Sequence, residues 1–425
     1  MAAPAPSPGG EGAVAGGGNR GLLLAMLLLV YTFNFLDRQI LSILAQPVKA
    51  SLGLDDAQLG MLGGLAFAAL YSTLAIPLAL IADKTSRSWV ITISLGVWSA
   101  FTALCGLAQN FTQMFLFRLG VGVGEAGGVA PSYALIADAF PPERRARALS
   151  IYSLGIPVGA ALGALLGGWI AQAVEWRTAF IVVGLLGLLV AVPFKLLVRD
   201  PPRAAATAEQ VPLARVFGIL AAKPSFWLLA FGAAAGSMCG YGVAFWLPSM
   251  IQRSFGLNLA ETGQFFGALL LTGGVAGILI GGWLGDRLGR AGRHWYALLP
   301  AICYVAGTPL FIAGVLSGSL VSAFALFLLP QALVYVWLGP VLTAVQHLVP
   351  AHMRATASAS FLLINNLIGL GLGSWAIGSL SKALTPEYGA ADALRYAIAC
   401  GLCLYLVAGL LMLIASRFLR RDWVG

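Results

Sequence analysis

Two charged residues stand in an otherwise apolar stretch of the sequence, FRLGVGVGEAGG at 117–128, which contains Arg118 and Glu125. Seven residues of helix turn through about 700°, so the two side chains share one face and lie roughly 10 Å apart along the axis. A charge at membrane depth costs on the order of 2.5–3.5 kcal/mol. Such a charge is kept where it faces water or a partner charge. The stretch therefore predicts a polar path through a membrane.

A second charged pair, Asp37 and Arg38, lies in the apolar stretch YTFNFLDRQ. At the rise of an α-helix, Asp37 lies roughly 24 Å from the cytoplasmic start of its helix. The corresponding depths are roughly 21 Å for Glu125 and roughly 31 Å for Arg118, so Asp37 can reach Arg118 if the two helices are neighbours. Two carboxylates in a low dielectric near one arginine do not both stay ionised without cost. We favour Glu125 as the proton carrier, because Asp37 has the nearer arginines.

The composition indicates the membrane that these charges require. Of the 425 residues, 59% are hydrophobic and 10% are charged, and the mean hydropathy is +0.89, whereas soluble proteins carry about 25% charge. Backbone groups in lipid must be satisfied internally, which leaves helices or a closed barrel, and the long apolar runs lack strand alternation. No catalytic constellation or metal spacing appears, and the dinucleotide-type pattern GxGxxG at 122–127 lacks a preceding strand and lies in mid-membrane, so we expect neither an enzyme nor a bound cofactor. We attribute the net charge of +9 to basic loops and not to nucleic-acid binding.

Twelve apolar segments each reach the roughly 20 residues that a bilayer needs. Lys and Arg concentrate in one set of loops, which the positive-inside rule places in the cytoplasm together with both termini. The prediction is an all-α polytopic membrane protein with a disordered tail at 1–20, a six-helix bundle at 21–199, a linker at 200–223 and a second six-helix bundle at 224–420. The predicted spans are 21–47, 56–83, 88–108, 111–139, 145–172, 175–199, 224–252, 260–285, 294–315, 320–349, 354–382 and 391–417.

The two bundles are a repeat. SLGLDDAQLG at 51–60 matches SFGLNLAETG at 254–263, and Asp83 matches Asp286 at the same offset of 203 residues, since 254 − 51 and 286 − 83 both equal 203. The loop PPERRARA at 141–148 matches PAHMRATA at 350–357. Two similar bundles related by an axis along the membrane normal predict alternating access to a site near the midplane.

These motifs resemble those of a known family. GWLGDRLGR at 282–290 resembles the GxxxDRxGR signature of the major facilitator superfamily, although the copy around Asp83 departs from it at three positions. NFLDR in the first helix and RLGVGVGEA in the fourth resemble the spinster subfamily of lipid-type transporters. The resemblance implies that Asp37, Arg38, Arg118 and Glu125 line the cavity and take part in proton coupling or substrate binding. It also implies a cytoplasmic gate, for which the candidate residues are Asp83, Arg87, Arg145, Asp286, Arg287, Arg290 and Arg354.

The second bundle lacks the intramembrane charges of the first and offers aromatic and amide residues instead. One charged wall and one aromatic wall favour an amphiphile with a polar head and an apolar chain. The resemblance to the spinster subfamily implies a lipid-like or amphipathic organic anion of the lysophospholipid or sphingosine-phosphate type. The weaker candidates for lining residues are Asn34, Tyr241, Phe245, Trp246, Tyr335, Phe361 and Asn365.

Other functions stay open on the sequence alone. One is a proton-coupled transporter of small organic anions or drugs, and another is a membrane receptor or sensor without transport. We expect a monomer in a bacterial inner membrane, with membrane lipids, protons and the organic anion as its partners.

Overall fold

The first half of the chain forms six membrane spans, numbered here in chain order. The computed structural model describes residues 19–200, 213–350 and 353–424, and within these ranges every regular element is a helix. Spans 1–6, the N half, are Arg20–Ile43 with Ala45–Leu52, Asp56–Gly63 with Leu65–Lys84, Arg87–Cys105, Phe111–Glu125 with Val129–Ala139, Pro142–Ser153 with Gly155–Ala173, and Trp176–Leu197.

The second half forms spans 7–12, the C half, in which two spans contain π-helical turns. Span 8 changes to a π turn at Leu270–Gly274 and span 11 at Asn366–Leu370. Spans 7–10 are Pro224–Phe255, Leu259–Leu269 continuing to Val275–Ala291, Trp295–Val315, and Leu320–Leu333 with Leu338–Gln346. Span 11 is Arg354–Asn365 continuing into the first part of Gly371–Asp422, and span 12 is the last part of that run. Gly389, with φ 74°, breaks the run and separates span 11 from span 12.

The described residues account for the twelve predicted spans. Ten helical runs are long and apolar enough to cross a membrane. The last of them, Thr356–Asp422, holds both span 11 and span 12. Span 4 is not among the ten, because it is divided into pieces of 15 and 11 residues, and it brings the number of spans to twelve. Residues 1–18 and 201–212 of the predicted tail and linker lie outside the described residues. Span 1 begins at Arg20, and a helix at Leu213–Ala221 lies in the predicted linker.

The packing of the spans repeats between the halves. Span 3 packs on spans 4 and 6 in the N half, as span 9 packs on spans 10 and 12 in the C half. Span 1 packs on span 5, as span 7 packs on span 11. This correspondence confirms the two pseudo-symmetric bundles. Between the halves, span 2 packs on span 11 and span 5 packs on span 8.

A buried acidic residue joins the halves at the end of the molecule opposite the basic loops. Asp56 is 2% exposed and accepts hydrogen bonds from Arg253 Nη2 at 2.6 Å and from Ser381 Oγ at 2.7 Å in the C half. Lys49 Nζ contacts the same carboxylate at 2.6 Å. Beside this cluster, Asp55 pairs with Lys382 at 2.9 Å in a more exposed position. Further hydrogen bonds between the halves lie towards this end, among them those of Ser42, Gln252 and Ser374, and together these contacts close the path there.

We expect Asp56→Asn to loosen this closed end. Breaking a buried ion pair leaves an uncompensated charge and costs about 3–5 kcal/mol, whereas an exposed pair contributes about 0.2–1 kcal/mol. Spin labels at Ser51 and Glu387, measured by double electron–electron resonance, should report longer and broader distances in Asp56→Asn than in wild type. The matched control is Asp55→Asn, which should leave the distances unchanged. Equal distributions in both variants would show that Asp56 does not hold the halves together.

Candidate functional site

A buried ion pair joins spans 1 and 4 near the middle of the N half. Arg38 Nε donates to Glu125 Oε2 at 2.7 Å, and the two side chains are 13% and 0% exposed. A charge-assisted hydrogen bond of this length is stronger than a neutral one. This pairing differs from the one predicted from depth along the helices. That prediction placed Asp37 beside Arg118 and left Glu125 without a near arginine.

Three aromatic rings surround the guanidinium of Arg38. Its Cζ atom lies 5.0 Å from the ring centroid of Phe35, 4.6 Å from that of Phe67 and 4.7 Å from that of Tyr71. A cation over an aromatic face is attracted by the ring quadrupole, and the attraction increases where water is excluded. The cage therefore fixes the position of Arg38 beside Glu125.

Asp37 is a buried carboxyl group that forms no ion pair with a described residue, although Thr102 and Trp98 are near enough to act as weak donors. It is 1% exposed, and neither of its oxygen atoms has a hydrogen-bond partner of ordinary geometry among the described residues. Thr102 and Trp98 of span 3 and Arg118 of span 4 are its polar neighbours. Within the described ranges, no ion pair within 4.0 Å joins Asp37 to Arg118. A buried carboxylate that lacks an ion pair is unfavourable, so the charged form of Asp37 is poorly compensated.

Arg118 is a buried cation that forms no ion pair within 4.0 Å with a described residue. The residue is 2% exposed, it lines the central cavity, and its Nε and Nη1 atoms have no hydrogen-bond partner in the described part of the chain. Arginine presents planar N–H donors that match carboxylate and phosphate oxygens. Arg118 can therefore bind an anion in the cavity.

The glycines of the 117–128 stretch let span 4 approach its neighbours closely. A Cβ atom on Gly124 would overlap the backbone of Trp98 in span 3, and one on Gly122 would overlap the carbonyl oxygen of Phe67 in span 2. Small residues at such interfaces allow helix backbones to approach. The glycines thus hold Phe67 and Trp98 beside the charged residues, and they form no nucleotide-binding loop.

A cavity of about 200 Å³ lies between the two halves and is amphipathic. Its polar side in the N half carries both arginines, Arg38 and Arg118, while most of the remaining surface is aromatic or aliphatic. The apolar lining comes from both halves: Phe35, Phe67, Ile156, Ala160, Val243, Ala244, Phe245, Leu247, Phe266, Leu270, Phe311, Val334, Trp337, Leu338 and Leu370.

The predicted residues divide into those that line the cavity and those that lie behind it. Arg38, Arg118, Tyr241, Phe245 and Tyr335 line it. The others are buried and outside the lining: Asn34, Asp37, Glu125, Trp246, Phe361 and Asn365.

Two of the buried residues have structural partners instead. Trp246 Nε1 donates to the carbonyl oxygen of Ser374 at 2.7 Å, and Asn365 Oδ1 accepts from Ser237 Oγ at 2.9 Å. Both hydrogen bonds join spans 7 and 11 within the C half, and Asn365 holds the lining residue Ser237 from behind the cavity surface.

Gln331 is a lining residue that the sequence analysis missed. It is the single amide in the apolar run LVSAFALFLLPQAL of span 10, and an isolated polar residue at membrane depth is itself a signal of function. Gln39, Ser42, Phe67, Ser237 and Tyr405 were also missed. Phe67 carries no such signal, because a phenylalanine in a membrane span is ordinary.

The predicted gate residues form contacts within their own halves. Arg87 pairs with Asp138 and, at 3.2 Å, with Asp83. Arg145 Nη2 donates to the carbonyl oxygen of Ala137 at 2.6 Å. In the C half, the guanidinium of Arg287 lies 5.3 Å from the ring centroid of Trp283. These contacts tie helix ends together inside each bundle at the basic end.

The remaining gate candidates also lie at the basic end. Asp286 and Arg290 are both close enough to Tyr296 to act on it electrostatically, and Arg354 begins span 11. In the described ranges, no group of three or more His, Cys, Asp and Glu side chains is placed to hold a metal ion.

Comparison with known proteins agrees with this architecture. Residues 27–374 match the family model for the Major Facilitator Superfamily. The chain is 32% identical to an MFS-type efflux pump of Mycolicibacterium smegmatis over 94% of this chain and 93% of that protein. It is 27% identical to protein spinster homolog 1 of Bos taurus, over 87% of this chain and 75% of that protein.

A solved structure extends the likeness to three dimensions. The crystal structure of a bacterial homologue of the human lysosomal transporter spinster, in an inward-facing and unoccupied conformation, superposes with a TM-score of 0.85 at 30% identity. The match covers 96% of this chain and 98% of that one. The chain therefore belongs to the major facilitator superfamily of transporters, which are not enzymes, and within it to the spinster-like members.

Proposed function

We propose that this protein is a secondary transporter that moves an amphipathic organic anion. The observation that carries the proposal is the cavity between the halves, where arginine side chains occupy one side and aromatic and aliphatic side chains cover most of the rest. Arg118 lines the cavity and offers its positive charge to an anionic headgroup, and the apolar surface suits a hydrocarbon chain. A sugar would need many more hydrogen-bonding groups.

We propose alternating access as the mechanism. The contacts around Asp56 close one end, while at the basic end the described contacts of the gate residues stay within each half. With the basic loops in the cytoplasm, this is an inward-facing state. In the opposite state, the ends that carry Asp83, Asp286, Arg145 and Arg354 would meet. The cavity is contained in one chain, which suits a monomer in a bacterial inner membrane.

We assign the transported proton to Asp37 and not to Glu125. Glu125 is already paired with Arg38 at 2.7 Å, whereas Asp37 has no ion pair within 4.0 Å among the described residues. Burial without an ion pair favours the neutral form of a carboxyl group. Loss or gain of that proton changes the charge beside Arg118, which would alter how Arg118 holds an anion.

Export of drugs or transport of small organic anions is the second candidate function. Its support is the likeness to an efflux pump and, at 26% identity over 67% of this chain, to a probable L-galactonate transporter of Escherichia coli. The same cavity could hold a small anion at Arg118 without using its apolar surface.

The two functions are separated by a pair of substrates that share one headgroup. We expect reconstituted protein to move 1-palmitoyl-lysophosphatidate and to leave glycerol 3-phosphate, which lacks the chain, untransported. Arg118→Gln should slow lysophosphatidate transport at least about tenfold, since losing a charged partner costs about 2–5 kcal/mol and 1.4 kcal/mol is a factor of ten. Exposed Arg420→Gln is the control. Transport of glycerol 3-phosphate alone would favour the second candidate, and the absence of any solute flux would favour a sensor.

The proton assignment is tested by two variants of similar chemistry. We expect Asp37→Asn to abolish substrate-dependent proton flux into proteoliposomes, measured with a trapped pH dye, while downhill substrate exchange continues. Glu125→Gln should impair exchange as well, because it leaves Arg38 buried without its partner at a cost of about 3–5 kcal/mol. If Asp37→Asn retains wild-type proton flux with unchanged pH dependence, Asp37 does not carry the proton.

A further inference from the structure

The C half carries a group of neutral polar side chains that none of the roles above uses. Gln331 and Tyr335 lie four residues apart in span 10, and Tyr241 lies opposite them in span 7, and all three line the cavity. No hydrogen bond described for residues 19–200, 213–350 and 353–424 involves the Gln331 amide or either of the two hydroxyl groups. Polar groups in an otherwise apolar cavity that lack protein partners are available to a ligand.

Tyr241 connects this group to the charged side of the cavity. Its hydroxyl is near enough to Arg38 and Glu125 to interact with them electrostatically, and it is equally a neighbour of the Tyr335 hydroxyl. The polar groups thus form a strip across the cavity, from the caged Arg38 through Tyr241 to Tyr335 and Gln331. A ligand held by its anion on the arginine side would place the atoms next to its headgroup along this strip.

The two π turns of the C half both lie against this wall. Gly273, in the π turn of span 8, packs so closely on Gln331 that a Cβ atom there would lie 2.9 Å from the Gln331 Cβ, and Gly274 packs on the ring of Tyr335. Gly369, in the π turn of span 11, packs in the same way on Ser237, a further lining residue. The described N half has no π turn. Single π turns inside α-helices occur frequently at functional sites.

From this geometry we infer that Gln331, Tyr335 and Tyr241 form a binding subsite for a neutral hydroxyl or ester group adjoining the anionic headgroup of the substrate. The inference rests on the proposed transport of an amphipathic anion and narrows its substrate class. An amide and two phenol groups can each donate and accept, which suits a hydroxyl or an ester and gives no charge to compensate. A site built to hydrogen-bond such a group discriminates against an analogue that lacks it, because its own polar groups are then left unpaired.

The test compares two amphiphiles of matched chain length. 1-Palmitoyl-lysophosphatidate carries a hydroxyl and an ester beside its phosphate, whereas hexadecyl phosphate carries neither. Binding of each amphiphile to the protein in nanodiscs is to be followed by tryptophan fluorescence, since Trp337 lines the cavity. Wild type should prefer lysophosphatidate by at least about fivefold, the equivalent of one hydrogen bond of about 1 kcal/mol.

Variants of the strip should remove the preference and leave hexadecyl phosphate binding unchanged. Gln331→Leu and Tyr335→Phe should each bring the ratio of the two affinities towards one. The matched control is Tyr304→Phe, because Tyr304 is 2% exposed, its hydroxyl has no described partner and it does not line the cavity. If the ratio in both variants equals that of wild type, the subsite is overturned while amphiphile transport stands. If wild type binds neither amphiphile, the proposed function and the subsite both fall.

Discussion

The N half depends on the requirement that charges inside a membrane be compensated. Two arginines and two acids lie at membrane depth in spans 1 and 4, and only one of the two acids is paired. Arg38 and Glu125 neutralise one another inside an aromatic cage, which makes that pair a fixed part of the structure. Asp37 and Arg118 form no ion pair within 4.0 Å with a described residue. Their charges are therefore compensated less completely than those of Arg38 and Glu125.

The packing of span 4 against spans 2 and 3 brings the charged residues and the aromatic rings around them close together. Span 4 can lie against spans 2 and 3 only because glycines replace side chains where its backbone crosses Phe67 and Trp98. The same close approach places the ring of Phe67 over both guanidinium groups, at 4.6 Å from Arg38 and 5.7 Å from Arg118. A larger residue at 122 or 124 would separate the spans and open the cage, so packing and electrostatics in this half are not independent.

The two halves share a fold but contribute different side chains to the cavity. The C half has neutral hydrogen-bonding groups and π turns where the N half has charges, so the cavity differs between its two walls. The contact that closes one end is equally asymmetric. At the repeat offset, since 259 − 56 is 203, Leu259 stands where span 2 has Asp56, and the C half supplies Arg253 instead. An acid from one half and a base from the other hold the closed end together.

The sequence by itself determined the fold, because the length of the apolar segments, the basic loops and the 203-residue repeat are all visible in the order of the residues. It also identified Asp37, Arg38, Arg118 and Glu125 as the exceptional residues, since charges in apolar runs are visible without coordinates. Only the tertiary structure decided which of them pair. Depth along a helix axis fixes one coordinate, whereas pairing depends on rotation about that axis and on the side chains between. For the same reason Trp246 and Asn365, which lie at suitable depths, face protein, while Gln331 and Phe67 face the cavity.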